Sequence, residues 1–187
     1  MADDDGRAMP PPGATVWFTG LPSAGKTTLA GMTAAELRGR GRRVEVLDGD
    51  EARLSLCAGL GFSRQDRETS VCRIGWVAHL LARNGVVVLV AVIAPYATGR
   101  QRVADLHAAD QTRFLEVHVA TPVSVCAARD VKGLYARQAA GRLSGLTGVD
   151  DPYEVPVNPD LCLNRDMATA EESTAEVIRL LAEMRLL

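Results

Sequence analysis

The stretch VWFTGLPSAGKTTLA, Val16 to Ala30, decides how the rest of the chain is read. An apolar run breaks into a glycine-bounded loop, which opens into a helix-forming segment. Within it, Gly20 to Thr27 matches GxxxxGK[ST] in full, and a strand before and a helix after complete the context of a phosphate-binding loop. Gly20 and Gly25 let the backbone turn so that several N–H groups face one anion, and the following helix adds its positive end. Lys26 is placed to neutralise charge between the β- and γ-phosphates, and the Thr27 hydroxyl to ligate Mg²⁺. Gly20, Leu21, Pro22, Ser23, Ala24, Gly25, Lys26, Thr27 and Thr28 are therefore the expected ATP-binding loop, with Thr27 as the metal ligand. No GxGxxG occurs, which makes a dinucleotide-binding fold the weaker rival. The loop names the donor, a nucleoside triphosphate, but not the acceptor.

Outward from that loop the chain alternates. Strands are expected at Ala14 to Thr19, Val44 to Leu47, Val86 to Ala94 and in RFLEVHVAT before Pro122. Helices are expected at Lys26 to Arg40, Asp66 to Asn84, Gly99 to Ala109, Pro122 to Arg129 and Glu171 to Met184. Alternation of this kind predicts an α/β fold with a parallel sheet covered by helices on both faces and ligands beyond the carboxyl ends of the strands. With 187 residues, 47% of them hydrophobic, the chain reads as a single domain over 14–187. Residues 1–13 read as a disordered, acidic and proline-rich tail without the features of a secretion signal. Residues 130–159, irregular and rich in Gly and Pro, read as a lid.

A net charge of −2 gives no basic footprint for nucleic acid. The most apolar run, Val86 to Ala94, is too short to span a bilayer, so a cytoplasmic protein is the default. Cys57, Cys72, Cys126 and Cys162 form no CxxC pair and read as buried or half-buried thiols. His79, His107 and His118 have no partners at ligand spacing and read as structural.

The second strand ends in LDGDEAR. Asp48 and Asp50 fall beyond the sheet edge beside the phosphate loop, one suited to orient Mg²⁺ through water, the other to take a proton from an attacking hydroxyl. An Asp-Gly turn with no chemical role fits the same residues. Together with TGLPSAGKTTLA, GLGFSRQDR, IAPY, RDVKGLYAR and LTGVDDPYEVP, in that order along the chain, this motif resembles the adenylylsulfate kinase family.

The resemblance implies a P-loop kinase fold and transfer of the ATP γ-phosphate to the 3′-hydroxyl of adenosine 5′-phosphosulfate (APS). It also implies Mg²⁺ dependence, a cytoplasmic homodimer and the possibility of a separate ATP sulfurylase. It makes Asp50 the candidate base and, with Lys26, the catalytic pair. Arg53 and Arg67 would contact the phosphosulfate, and Phe62 would stack on the APS adenine. Ile93 and Ala94 would line the acceptor wall. Lys132, Gly133 and Leu134 belong to the lid, and Arg129 would lie near the ATP adenine. The residues alone agree in kind: guanidinium forks suit phosphate and sulfate oxygens, and an adenine needs an aromatic platform.

Four departures fall on the acceptor side, one of them Cys72, which stands where the family has an arginine. Ala94 stands where many members have a serine that is phosphorylated in some of them, so no phosphoserine can form here. Ser70 stands where an asparagine is common. Leu146 stands where many members have a phenylalanine, giving an aliphatic wall opposite Phe62. Beside an APS kinase, two readings stand: a kinase of the same fold acting on another hydroxyl, and a silent nucleotide-binding subunit.

Overall fold

The computed structural model describes residues 12–164 and 168–187. The chain runs through β1 (Ala14–Thr19), α1 (Lys26–Gly39), β2 (Val44–Asp48), α2 (Gly49–Leu54), α3 (Arg64–Ala82) and β3 (Val87–Ala91). It continues through α4 (Ala97–Ala108), β4 (Arg113–Val119), α5 (Val123–Arg129), α6 (Leu134–Ala139), β5 (Leu161–Leu163) and α7 (Ala170–Glu183). The strands form one parallel sheet in the order β2-β3-β1-β4-β5.

Alternation along each buried strand explains the two-sided core. Val16 and Phe18 of β1, with Val87 and Leu89 of β3, join Leu29 and Leu37 of α1 and Leu181 of α7 on one face. Trp17, Val88 and Val90 turn the other way, onto Ile74 and Ala78 of α3 and Val103 of α4. A strand covered on both faces must be apolar at consecutive positions, as β1 and β3 are. Each such side chain is worth roughly 1.5–3 kcal/mol relative to exposure. The packing of α3 on α4 depends on Gly75, where a Cβ would lie 2.4 Å from Val103 Cγ2.

β3 and β4 lie on opposite sides of β1. Connections leaving β1 and β3 therefore diverge and open a crevice at the carboxyl ends of the strands, the usual ligand position in an open α/β sheet.

Several expected boundaries shift. β3 stops at Ala91, the residue paired with Phe18 near the end of β1. Beyond it the backbone turns away, with Ala94 at φ +45°. α3 begins at Arg64 because Ser63 caps it: Ser63 Oγ accepts from the Asp66 N–H at 3.1 Å. Three short elements, α2, α6 and β5, escape the sequence reading. The irregular segment 130–159 holds α6, whose first turn is tied by the Asp130 carboxylate accepting from Tyr135 N–H (3.1 Å) and Ala136 N–H (2.9 Å). Of the expected tail, residues 1–11 lie outside the described residues. No helix among the described residues is long and apolar enough to cross a membrane.

Candidate active site

The phosphate loop begins where β1 ends. Gly20, at φ +152°, packs so closely on β4 that a Cβ would stand 2.6 Å from the Val119 carbonyl oxygen. Gly25, at φ +104°, caps α1 without a side-chain hydrogen bond, so the first-turn N–H groups of that 14-residue helix are open to an anion.

The loop's carbonyls are drawn the other way. Lys26 Nζ donates to Gly20 O (2.9 Å) and Leu21 O (2.8 Å). Tyr135 Oη donates to Pro22 O at 3.0 Å, and Thr121 Oγ1 to Ala24 O at 2.8 Å. Arg129 reaches the same Ala24 oxygen at 3.4 Å, which places it beside the loop. The loop is thus held largely through its carbonyls, with the Ala24 N–H also closed onto Leu21 O at 3.2 Å. Burial pulls the Lys26 ammonium down to about 8, with the charge of Lys132 adding to the effect and Asp48 and Asp50 opposing it.

The two aspartates after β2 are held differently. Asp48 is fixed: its Oδ2 accepts from Thr27 Oγ1 at 2.6 Å and its Oδ1 from the Asp50 N–H at 2.8 Å, capping α2. A hydroxyl and a carboxylate oxygen meeting beside the phosphate loop form a hard oxygen donor pair of the kind Mg²⁺ prefers. Asp50 projects outward, and Lys132 from the segment before α6 forms an ion pair with it. α2, with no buried residue of its own, exists because Asp48 caps it.

On the acceptor side, Phe62 stands 67% exposed. The Arg53 guanidinium lies 4.3 Å from its ring centroid, and that of Arg67 at 5.5 Å. The two arginines are not equivalent. Arg53 makes one long hydrogen bond, to Gly61 O at 3.3 Å. Arg67 is buried, donating to Phe62 O (2.9 Å), Thr147 Oγ1 (3.1 Å) and Gly145 O (2.8 Å), and pairing with Asp151 at 3.2 Å. Its fork is occupied in holding the loop 145–151 against α3.

Other expected acceptor residues also face inward. Ser70 is buried, and its hydroxyl donates to Cys57 Sγ at 3.2 Å. Leu146 is 5% exposed and packed in the core cluster that contains Leu21 of the phosphate loop. Leu146, expected as the aliphatic wall opposite Phe62, is a nearly buried member of that cluster, in a turn that Asp150 folds by accepting from the Gly145 and Leu146 N–H groups. Ile93 O accepts from Thr19 Oγ1 at 2.6 Å, and Ala94 O from buried Arg100 at 2.7 Å. Gly133, at φ +64°, caps α6, and Leu134 packs against the core. The cysteine expectation holds for Cys57, Cys72 and Cys126, but Cys162 on edge strand β5 is exposed.

Sequence reasoning passed over Thr121, Tyr135, Arg100, Tyr153 and Glu154. Tyr135 and Tyr153 lie inside quoted motifs, and with three tyrosines in the chain their hydroxyls were the available signal. Arg100 donates to both Ala94 O and Glu154 O and pairs with Glu116 at 2.7 Å. Glu154 in turn accepts from the Ala97 N–H at 2.7 Å, at the start of α4.

The model of the family described as Adenylylsulphate kinase matches residues 12–164. The chain is 47% identical over 176 residues to the adenylyl-sulfate kinase of a Picosynechococcus strain, covering 92% of this chain and 95% of that one. It is 48% identical over 172 residues to the adenylyl-sulfate kinase of Rippkaea orientalis, covering 92% and 93%. Among solved structures it is similar to the Mycobacterium tuberculosis APS kinase in complex with AMPPNP and APS, with a TM-score of 0.89 and 45% identity over 92% of this chain and 99% of that one.

Proposed function

The chain belongs to the adenylylsulphate kinase family, and from that premise we propose that it transfers the γ-phosphate of ATP to the 3′-hydroxyl of APS, giving PAPS and ADP. The observation that carries the acceptor is Phe62: a large aromatic standing in solvent, covered by the Arg53 guanidinium at 4.3 Å. An aromatic face with an adjacent cation is what a nucleotide bearing two anionic groups needs. APS entering this site stacks its adenine on Phe62 and draws Arg53 to its phosphosulfate.

Each group then has one task. The N–H groups at the start of α1 and the Lys26 ammonium hold the β- and γ-phosphates, and Arg129 lies on the ATP adenine side. Thr27 would hold Mg²⁺ with Asp48 behind it, and the ion would supply charge neutralisation across the phosphates. Asp50 takes the proton from the attacking hydroxyl. Lys132, Gly133 and Leu134 belong to a lid over about 130–159 on a single domain spanning 14–187. Lys132 leaves Asp50 for the transferred phosphate as the acceptor hydroxyl arrives. Ile93 and Ala94 line the acceptor side, and Arg67 acts by fixing Phe62 and the 145–151 loop. Ser70 supports this wall through Cys57.

The assembly is a homodimer in the cytoplasm. Four free thiols suit a reducing compartment. The exposed apolar side chains of Leu56, just after α2, and Trp76 of α3 line one surface hollow that suits a subunit contact. Light scattering checks the mass.

The test is a coupled assay with ATP, Mg²⁺ and APS, with the product's phosphate position read by NMR. Formation of PAPS is expected. A tenfold or greater preference for a non-adenylyl acceptor overturns the reading in favour of a kinase of the same fold with another substrate.

A further inference from the structure

Thr19 closes β1 and is fully buried. Its Oγ1 donates to Ile93 O at 2.6 Å. A hydroxyl carries one proton, so Tyr153 Oη, 3.0 Å from the same oxygen, is the donor to it. Burial pushes the Tyr153 phenol up to about 12, which keeps that proton in place at neutral pH.

Three separate parts of the site meet at this oxygen. Thr19 immediately precedes Gly20, the first residue of the phosphate loop. Ile93 lies beyond the end of β3 on the acceptor side. Tyr153 sits in the later part of the 130–159 segment, after α6, where the backbone is pinned to the acceptor edge: Glu154 N–H donates to Pro95 O at 2.8 Å. Its ring is itself fixed, stacked on His118 at 5.9 Å, with the Arg100 guanidinium 6.0 Å from the centroid.

We propose that Tyr153, acting through Thr19, is a positioning residue that sets the spacing between the phosphate loop and the acceptor wall, and with it the in-line approach of hydroxyl to γ-phosphate. The inference rests on the kinase reading above. In-line transfer needs the reacting atoms about 3–3.5 Å apart and aligned, and a displacement of an ångström costs on the order of 10²-fold in rate. Each half of the site binds its own substrate without Tyr153, so its loss misaligns the two halves and leaves each intact.

Tyr153→Phe removes one O–H and keeps the ring. The expected result is a kcat lowered about tenfold, with KM for ATP and for APS each within about twofold of wild type and the melting temperature within about 2 °C. Thr19→Val, which removes both hydrogen bonds, lowers kcat further, and Thr19→Ser, which keeps the hydroxyl, restores it. Wild-type protein that fails to phosphorylate APS overturns the kinase reading and this inference with it. With active wild type, the inference alone is overturned by a Tyr153→Phe kcat within twofold of wild type. A loss carried by the KM of one substrate, or one that follows a fall in melting temperature, overturns it as well, because a merely structural hydroxyl would act in that way.

Discussion

Lys132 and Asp50, 82 residues apart in the chain, form an ion pair in front of the phosphate loop. The pair joins the segment before α6 to the helical turn after β2. Both side chains are more than half exposed, so the contact adds little to stability. Its consequence is chemical: the proposed base is paired with Lys132, and a substrate that uses Asp50 has to separate the two.

Asp50→Asn should therefore lower turnover by roughly 10²–10⁴-fold, the range for losing acid–base help. ATP affinity should change little, and neither this variant nor Lys132→Ala should shift the melting temperature by more than about 2 °C, since exposed pairs contribute little. Calorimetric melting and single-turnover kinetics check both. Weakened ATP binding with unchanged turnover would place the base elsewhere.

Lys26 makes nucleotide binding pH-dependent. Its free-enzyme value of about 8 lies below the ordinary lysine value of 10.5 because burial disfavours the charged form. Bound phosphates favour that form and raise the value again. Above pH 8, ATP binding should take up a proton, and affinity should decline by up to about tenfold per pH unit. In the same window the unfolded chain holds a proton the folded apo chain has lost, so this group's share of apo stability rises with pH. Titration calorimetry in buffers of different ionisation enthalpy measures the uptake. Lys26→Ala should abolish both the uptake and the activity while leaving the fold intact; near-wild-type turnover in that variant would sink the role given to the lysine.

No phosphoenzyme should form. Ala94 is buried and has no hydroxyl, and direct transfer requires none. Incubation with γ-labelled ATP in the absence of acceptor should leave the protein unlabelled. Stable stoichiometric label on the chain would reject direct transfer.

Phe62 and Leu146 should separate binding from stability. Phe62→Ala should raise KM for APS by about 5- to 150-fold, the equivalent of roughly 1–3 kcal/mol for a base stacked on an aromatic. Its melting temperature should hardly move, because the ring is exposed. Leu146→Phe should do the reverse, overpacking a core site at a cost of about 1–3 kcal/mol, or a melting temperature lower by several degrees. An unchanged melting temperature with tighter APS binding would mean that position 146 opens to the acceptor after all.

The sequence by itself determined the donor side. A phosphate loop works through backbone turns and a helix end, so Gly20, Gly25, Lys26 and Thr27 carry their meaning within eight consecutive residues. The doubly covered strands were legible for a similar reason, since burial on both faces leaves an unbroken apolar run. Short elements were not. α2 is six residues held by the Asp48 cap, and β5 is three residues whose strand character comes from pairing with Val117 to Val119.

Only the tertiary structure decided which way the acceptor-side residues face. Arg53 and Arg67 are both arginines of quoted motifs, yet one lies over an exposed ring and the other is buried holding a loop from about 80 residues away. Asp48 and Asp50 stand two apart, and only the Thr27 hydroxyl and the Lys132 ammonium tell cap from candidate base. Leu146, expected at the wall opposite Phe62, packs in the same core cluster as Leu21, in the turn that Asp150 closes. Residue type fixes what a side chain can bond to. Which partner it meets depends on segments that the fold brings together from far along the chain.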